Sequence, residues 1–571
     1  AMSANAFADA AALYRQVLTR QKNGDAWGTL IEALIRQNQI DAANQEMQNW
    51  KAAEPWSSRM AFAEVRLLNE RGRVADAELA ATEAIRKDPN NASLYLLRAQ
   101  VRYNDASENV QAVVKGDLGK ALELNPSLLL AREMYVDWFF KRNRFDEAAE
   151  QLRRLITARP DNPVYRVQLA RIYLQLERSD DLDTLLTDAI IQLPGMPVWH
   201  QLRASLRLMQ NRPRDAVGEL GKAYELNPIP ETVQGYGEAL IASNNASRAL
   251  EVFAKQPTIV GKSPILLALQ GRAMVAANQA YSAEKIFARA FNLAGDNFDE
   301  LDSVVNQYNR VAGPKEVRAI LAERIKSDKS GATAAVLAKY YLNLGDSAQA
   351  ISLLDELRGK LSPDSATLPN VLWILGVAYY DNGQFLKARG AYEALLKLQP
   401  SNSSVINNLA YLLAEELKLP QEALPLAEKA ATFWQPNADG RANVLDTLGR
   451  VQFLANNQIE AEDSLKRSVA AKSLLINNLH LGEVLIARGR AREATDYLTT
   501  AQQLILLPRD KEIKTRIDTL LRELRTGQAA AGATTTDWSL DRPPAARLND
   551  RQSQPLPAPV TTPTPTNRPP A

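Results

Sequence analysis

The residues that could carry chemistry are few. His200 and His480 are the only histidines, they lie far apart in sequence, and there is no cysteine. Disulfides, thiol nucleophiles and cysteine-ligated zinc are therefore excluded. So is the His-Glu-x-x-His pattern that sets two imidazoles on one helix face around zinc. Each histidine falls in an amphipathic helical stretch and reads as a residue at the edge of a packed core. Gly235-Tyr236-Gly237 begins like a dinucleotide-binding loop, but Leu240 stands where the third glycine belongs, and no strand precedes it. No Walker-type phosphate loop is present. Carboxylates are plentiful, yet no pair is set apart by an apolar setting of the kind that tunes acid–base work. These residues predict no catalysis, no metal and no cofactor.

The elements that hold such residues are helical. Alanine and leucine recur, β-branched clusters are scarce, and 46% of the chain is hydrophobic, a globular fraction. Its 571 residues exceed one compact core and suit several domains or one long repeat array. Lys and Arg number 68 against 66 Asp and Glu, a balance that offers no footprint for nucleic acid or an acidic membrane. No uncharged apolar run reaches the roughly 18 residues of a membrane helix. Ala1-Met2-Ser3 opens without a basic segment and an apolar one after it, so no signal peptide is visible.

Pro126, Pro160, Pro194 and Pro228 stand at intervals of 34 residues. Three of them close similar text: Glu123-Leu124-Asn125-Pro126, Thr157-Ala158-Arg159-Pro160 and Glu225-Leu226-Asn227-Pro228. Proline cannot continue a helix, so each marks a helix end and the turn into the next unit. The clearest unit runs from about Asn370 to Asn402. Leu372, Leu375, Gly376 and Tyr379 share one helical face, Gly383 breaks the helix, and Phe385, Ala388, Tyr392 and Leu395 form the face of a second helix that Pro400 closes. Small residues at Gly376 and Ala388 let the two helices approach, and the aromatics fill the space between them.

The pattern resembles the tetratricopeptide repeat family. Leu169-Ala170, Tyr173, Ala189 and Pro194 match its spacing, as do Gly271, Ala283, Phe287 and Ala290, then Leu337-Ala338, Tyr341 and Gly345, then Leu448-Gly449, Ala461 and Leu465, and Leu481-Gly482, Ala494 and Leu498. The resemblance implies an all-α fold: a right-handed superhelical solenoid of about fourteen helix hairpins with a disordered C-terminal tail. Its expected divisions are an N-terminal array over 7–295, a degenerate repeat at 296–330 broken by Gly313-Pro314, a C-terminal array over 331–508, a capping helix at 509–525, and a Pro/Thr/Ala-rich tail at 526–571. Residues 104–116 carry about three extra positions. Residues 7–20 read as the second helix of a unit whose first helix is missing, which implies that the protein extends upstream.

In that family the first helices of the units line a concave groove that binds extended peptides or partner helices. Carried onto this chain, the groove positions include Lys339, Trp373, Val377, Asn407, Tyr411, Asp446 and Arg450, with Trp373 and Tyr411 as aromatic anchors and Lys339 and Arg450 as grips for acidic or carbonyl groups. Glu133 and Asp137 occupy an earlier unit where the family's carboxylate clamp would need basic residues and asparagines, so that clamp is not intact. In the tail, Asp537, Trp538 and Leu540 form a candidate docking motif.

The resemblance thus implies a non-enzymatic scaffold that binds a protein or peptide, and neither nucleic acid nor metal. The missing cysteines and the tail favour a bacterial periplasm or cell envelope, with the cytoplasm as the alternative. Two other readings compete: the repeat arm of a larger glycosyltransferase or peptidase, and a cytoplasmic chaperone or assembly adaptor.

Overall fold

The computed structural model describes residues 4–105, 107–142, 144–433, 438–505 and 511–526. These contain α-helices from Ala4–Arg20 to Lys511–Thr526, one π-helical turn at Leu412–Glu416 and no β-strand. The helices fall in two compact units that divide between Leu169 and Ala170, inside the helix Pro163–Gln175.

Helices follow one another as antiparallel hairpins because each carries one apolar stripe and each turn contains a residue that can reverse the chain. In the hairpin Leu368–Asp381 and Phe385–Leu398, Leu372, Leu375 and Tyr379 bury against Ala388, Tyr392 and Leu395. A Cβ added at Gly376 would collide with the Tyr392 ring, so the close approach requires glycine. The same relation, a glycine facing a large residue sixteen positions on, recurs at Gly237 with Phe253, Gly271 with Phe287, Gly449 with Leu465 and Gly482 with Leu498, where a Cβ would come to 2.5–2.7 Å.

Turns within hairpins repeat too. Asn38 and Gly72 in the first unit, and Asn211, Asn244, Asn278, Gly345, Gly383, Asn456 and Gly489 in the second, all have positive φ. Glycine and asparagine are the residues that adopt this left-handed conformation at least cost. The closing prolines behave as expected: Pro126, Pro160, Pro194 and Pro228 each stand two residues past a helix end, at Leu124, Ala158, Gln192 and Leu226.

The stretch 296–330 folds as a hairpin of its own, Phe298–Tyr308 and Pro314–Ile325. Pro314 starts the second helix there, where its missing N–H has no intrahelical role. Leu301, Val304, Val317 and Leu321 join the same core as Phe287 and Tyr340. The extra residues near 104–116 lead into a second helix of 17 residues, Glu108–Leu124. Lys511–Thr526 covers the last described hairpin with Ile513, Ile517, Leu520 and Leu521.

Candidate binding face

In the second unit first helices of neighbouring hairpins pack together by backbone approach or are joined through side chains. They include Ala332–Asn343, Leu368–Asp381, Ser403–Tyr411 with its π-helical turn, Ala438–Leu454 and Leu475–Ala487, which Lys511–Thr526 follows. Polar side chains tie them together at close to the repeat period. Tyr380 donates its hydroxyl to Glu416 at 3.1 Å. Arg450 pairs with Glu415 on the π-helical turn and, at 2.9 Å, with Glu483 on the following helix. Arg516 then reaches the other oxygen of Glu483 at 3.2 Å. Alongside runs a second tie, His480 Nδ1 to Asp446 Oδ1 at 2.9 Å.

This arrangement corrects part of the expected groove. Arg450 is 1% exposed, Val377 3% and Asp446 8%, so these three form the wall between first helices and do not face a ligand. Lys339 is also committed, its Nζ 2.7 Å from Asp302 Oδ2. The physical reason is that neighbouring first helices lie close enough for these positions to reach across to one another.

Trp373, Asn407 and Tyr411 are placed differently. All three are half-buried. Trp373 leans against Tyr392 with ring centroids 6.2 Å apart, and both Trp373 and Tyr411 pack on the core of the second unit. Asn407 Oδ1 is buried without a hydrogen-bond partner among the described residues. A buried acceptor left open costs stability unless a donor arrives. Asp537, Trp538 and Leu540 lie outside the described residues.

The electrostatics follow from burial and pairing. Burial raises the Glu415 carboxyl, but Arg450 beside it wins and holds it below the usual range. Burial alone would lower the Arg450 guanidinium, and its two carboxylates raise it instead. Burial, then Glu415, pushes the Tyr411 hydroxyl well up. Burial pulls the His480 imidazole down, and Asp446 more than reverses this. Both histidines are buried rather than at the core edge, and each is held by a carboxylate, with His200 Nδ1 2.6 Å from Glu219. No group of three or more metal-ligating side chains occurs among the described residues, and no described helix is long and apolar enough to cross a membrane.

Sequence reasoning missed the ion ladder. Its signal was present: Glu415, Arg450, Glu483 and Arg516 alternate in charge at spacings close to 34.

Tetratricopeptide repeat models match residues 1–61 and 139–206, and another matches 375–438. The chain contains tetratricopeptide repeats over those segments, and that repeat is in general a scaffold for contact between proteins. No curated protein sequence matches it. Similar solved structures include yeast Tom70, 13% identical over 82% of this chain and 96% of that one with a TM-score of 0.35. Another is the APC/C hetero-tetramer Cut9-Hcn1, 14% identical over 91% and 94% with a TM-score of 0.29. A third is PilW, a type IV pilus biogenesis factor, 20% identical over 36% and 91% with a TM-score of 0.30.

Proposed function

We propose that this chain is a non-enzymatic scaffold that holds an extended peptide, or an extended segment of a partner protein, against the first helices of its second unit. The observation that carries the reading is Asn407, whose buried Oδ1 has no donor among the described residues, one helical turn from the half-buried Tyr411, with the half-buried Trp373 on the preceding first helix. An extended peptide offers what that face lacks: a backbone N–H for the amide oxygen and an apolar side chain for the rings. The ion ladder behind it keeps the supporting helices in register. We further propose that the scaffold serves an assembly in a bacterial envelope; the cysteine-free composition supports this.

Site-specific photo-crosslinking in cells that make the protein tests the face. A crosslinker at Asn407 should capture a discrete partner. One at Leu386, which is 75% exposed on a second helix, should not. Capture at Leu386 with none at Asn407 would move the working surface to the second helices. Fractionation of the same cells tests the envelope assignment, which fails if the chain is recovered only with cytoplasmic proteins.

A further inference from the structure

The junction between Ala438–Leu454 and Leu475–Ala487 contains a buried titratable group that the binding reading does not use. His480 is 2% exposed and its Nδ1 meets Asp446 at 2.9 Å. The charges packed around it come from four elements. Ala438–Leu454 supplies Asp446 and Arg450, the π-helical turn supplies Glu415, the histidine's own helix supplies Glu483, and Lys511–Thr526 supplies Arg516. The second helices keep their charges paired among themselves and with the hairpin turn: Glu462 with Lys466, Arg488 and Arg490, and Glu493 with Arg490.

Glu415 and Glu483 share Arg450, with Lys418 acting on the first and Arg516 pairing with the second. Asp446 pairs with His480, which counters its charge only when protonated. An excess charge in a site this buried is costly, because water cannot screen it. The cost falls on the junction, since Asp446 and His480 lie on different helices 34 positions apart.

We propose that His480 and Asp446 form a proton-operated latch between the hairpins 438–471 and 475–503. With the proton bound, Asp446 has its countercharge and the two first helices are locked. When the proton leaves, Asp446 loses its countercharge and the junction loosens. Glu415 sits on the π-helical turn that follows Tyr411, so a loosened ladder also frees the helix that carries the candidate binding face. Asp446 raises the His480 imidazole above its ordinary value of 6.5 despite the opposing burial. A group whose folded value is raised contributes stability that is fully present below the unfolded value and is lost as pH rises through the folded one. The latch therefore closes on acidification and opens on the alkaline side of 6.5.

The chain has only two histidines, so NMR of histidine-labelled full-length protein gives two imidazole signals, and His480→Gln assigns them. His480 should titrate with a midpoint above 6.5. Hydrogen exchange in 475–487, taken relative to His480→Gln at each pH, should lose protection as pH rises from 6.5 through that midpoint, by at most about tenfold per pH unit. Asp446→Asn, which keeps the histidine and removes the carboxylate, should lower the midpoint, and it serves alone if His480→Gln does not fold. A His480 midpoint below 6.5, a midpoint unmoved by Asp446→Asn, or exchange in 475–487 that tracks the variant at every pH would each overturn the latch. None of these readouts needs a partner, so the latch can fail while the binding face stands.

Discussion

Gly376 shows how one residue sets a hairpin. A Cβ there meets the Tyr392 ring, which is itself buried and cannot swing aside. Gly376→Ala should destabilise that hairpin by about 1–3 kcal/mol. Hydrogen exchange in 368–398 is the appropriate measure, because a repeat array need not unfold in one step. Arg450 illustrates the opposite case. The sequence reading makes it a grip for acidic or carbonyl groups of a ligand; in place it is the centre of a buried ladder. Arg450→Ala leaves Glu415 and Glu483 without their shared cation, and should cost about 3–5 kcal/mol. Thermal unfolding would show a clear loss of stability, and an unchanged melting profile would mean the ladder is an ornament of the packing. Helical register could not reveal this, since a groove position and a wall position share it and the distance between neighbouring first helices decides which one a residue becomes; the signal lay in the charges alternating near the repeat spacing.

At the scale of the element, most of the architecture was legible. The 34-residue prolines marked helix ends, and Leu-Gly or Leu-Ala pairs marked the close approaches. Two signals went unread. Asparagines as well as glycines hold the left-handed turns, so Asn211, Asn244 and Asn278 carry the repeat as plainly as Gly345 and Gly383. The other signal is a spacing. Gly376 precedes Ala388, and Gly449 precedes Ala461, by twelve positions, whereas Ala410 precedes Ala423 by thirteen. The extra residue is absorbed by the π-helical turn Leu412–Glu416, the form an insertion in a helix commonly takes. It delivers Glu415 to Arg450. The chain turns within that hairpin at Lys418, φ 57, a conformation that disfavours a side chain. Lys418→Gly should therefore stabilise the hairpin by about 1 kcal/mol, seen as slower exchange in 403–432. Faster exchange would show that the lysine side chain contributes more than its backbone strain costs.

For the whole molecule, acid should act on the C-terminal hairpins of the second unit first. Glu415 is held below its ordinary value of 4.5, so its contribution is present above 4.5 and is lost as pH falls through the lower folded value. Exchange in 438–454 should quicken in that window, and Arg450→Met should abolish the dependence by removing the cation that causes it. The central claim is that the first-helix face around Asn407 is the working surface, and affinity decides it. Calorimetric titration of the crosslinked partner, once identified, should show Asn407→Ala weakening binding by about tenfold, the value of one hydrogen bond to a buried acceptor, with no loss of thermal stability. Leu386→Ser should bind as the native chain does. Native affinity in Asn407→Ala, together with a loss in Leu386→Ser, would contradict the account.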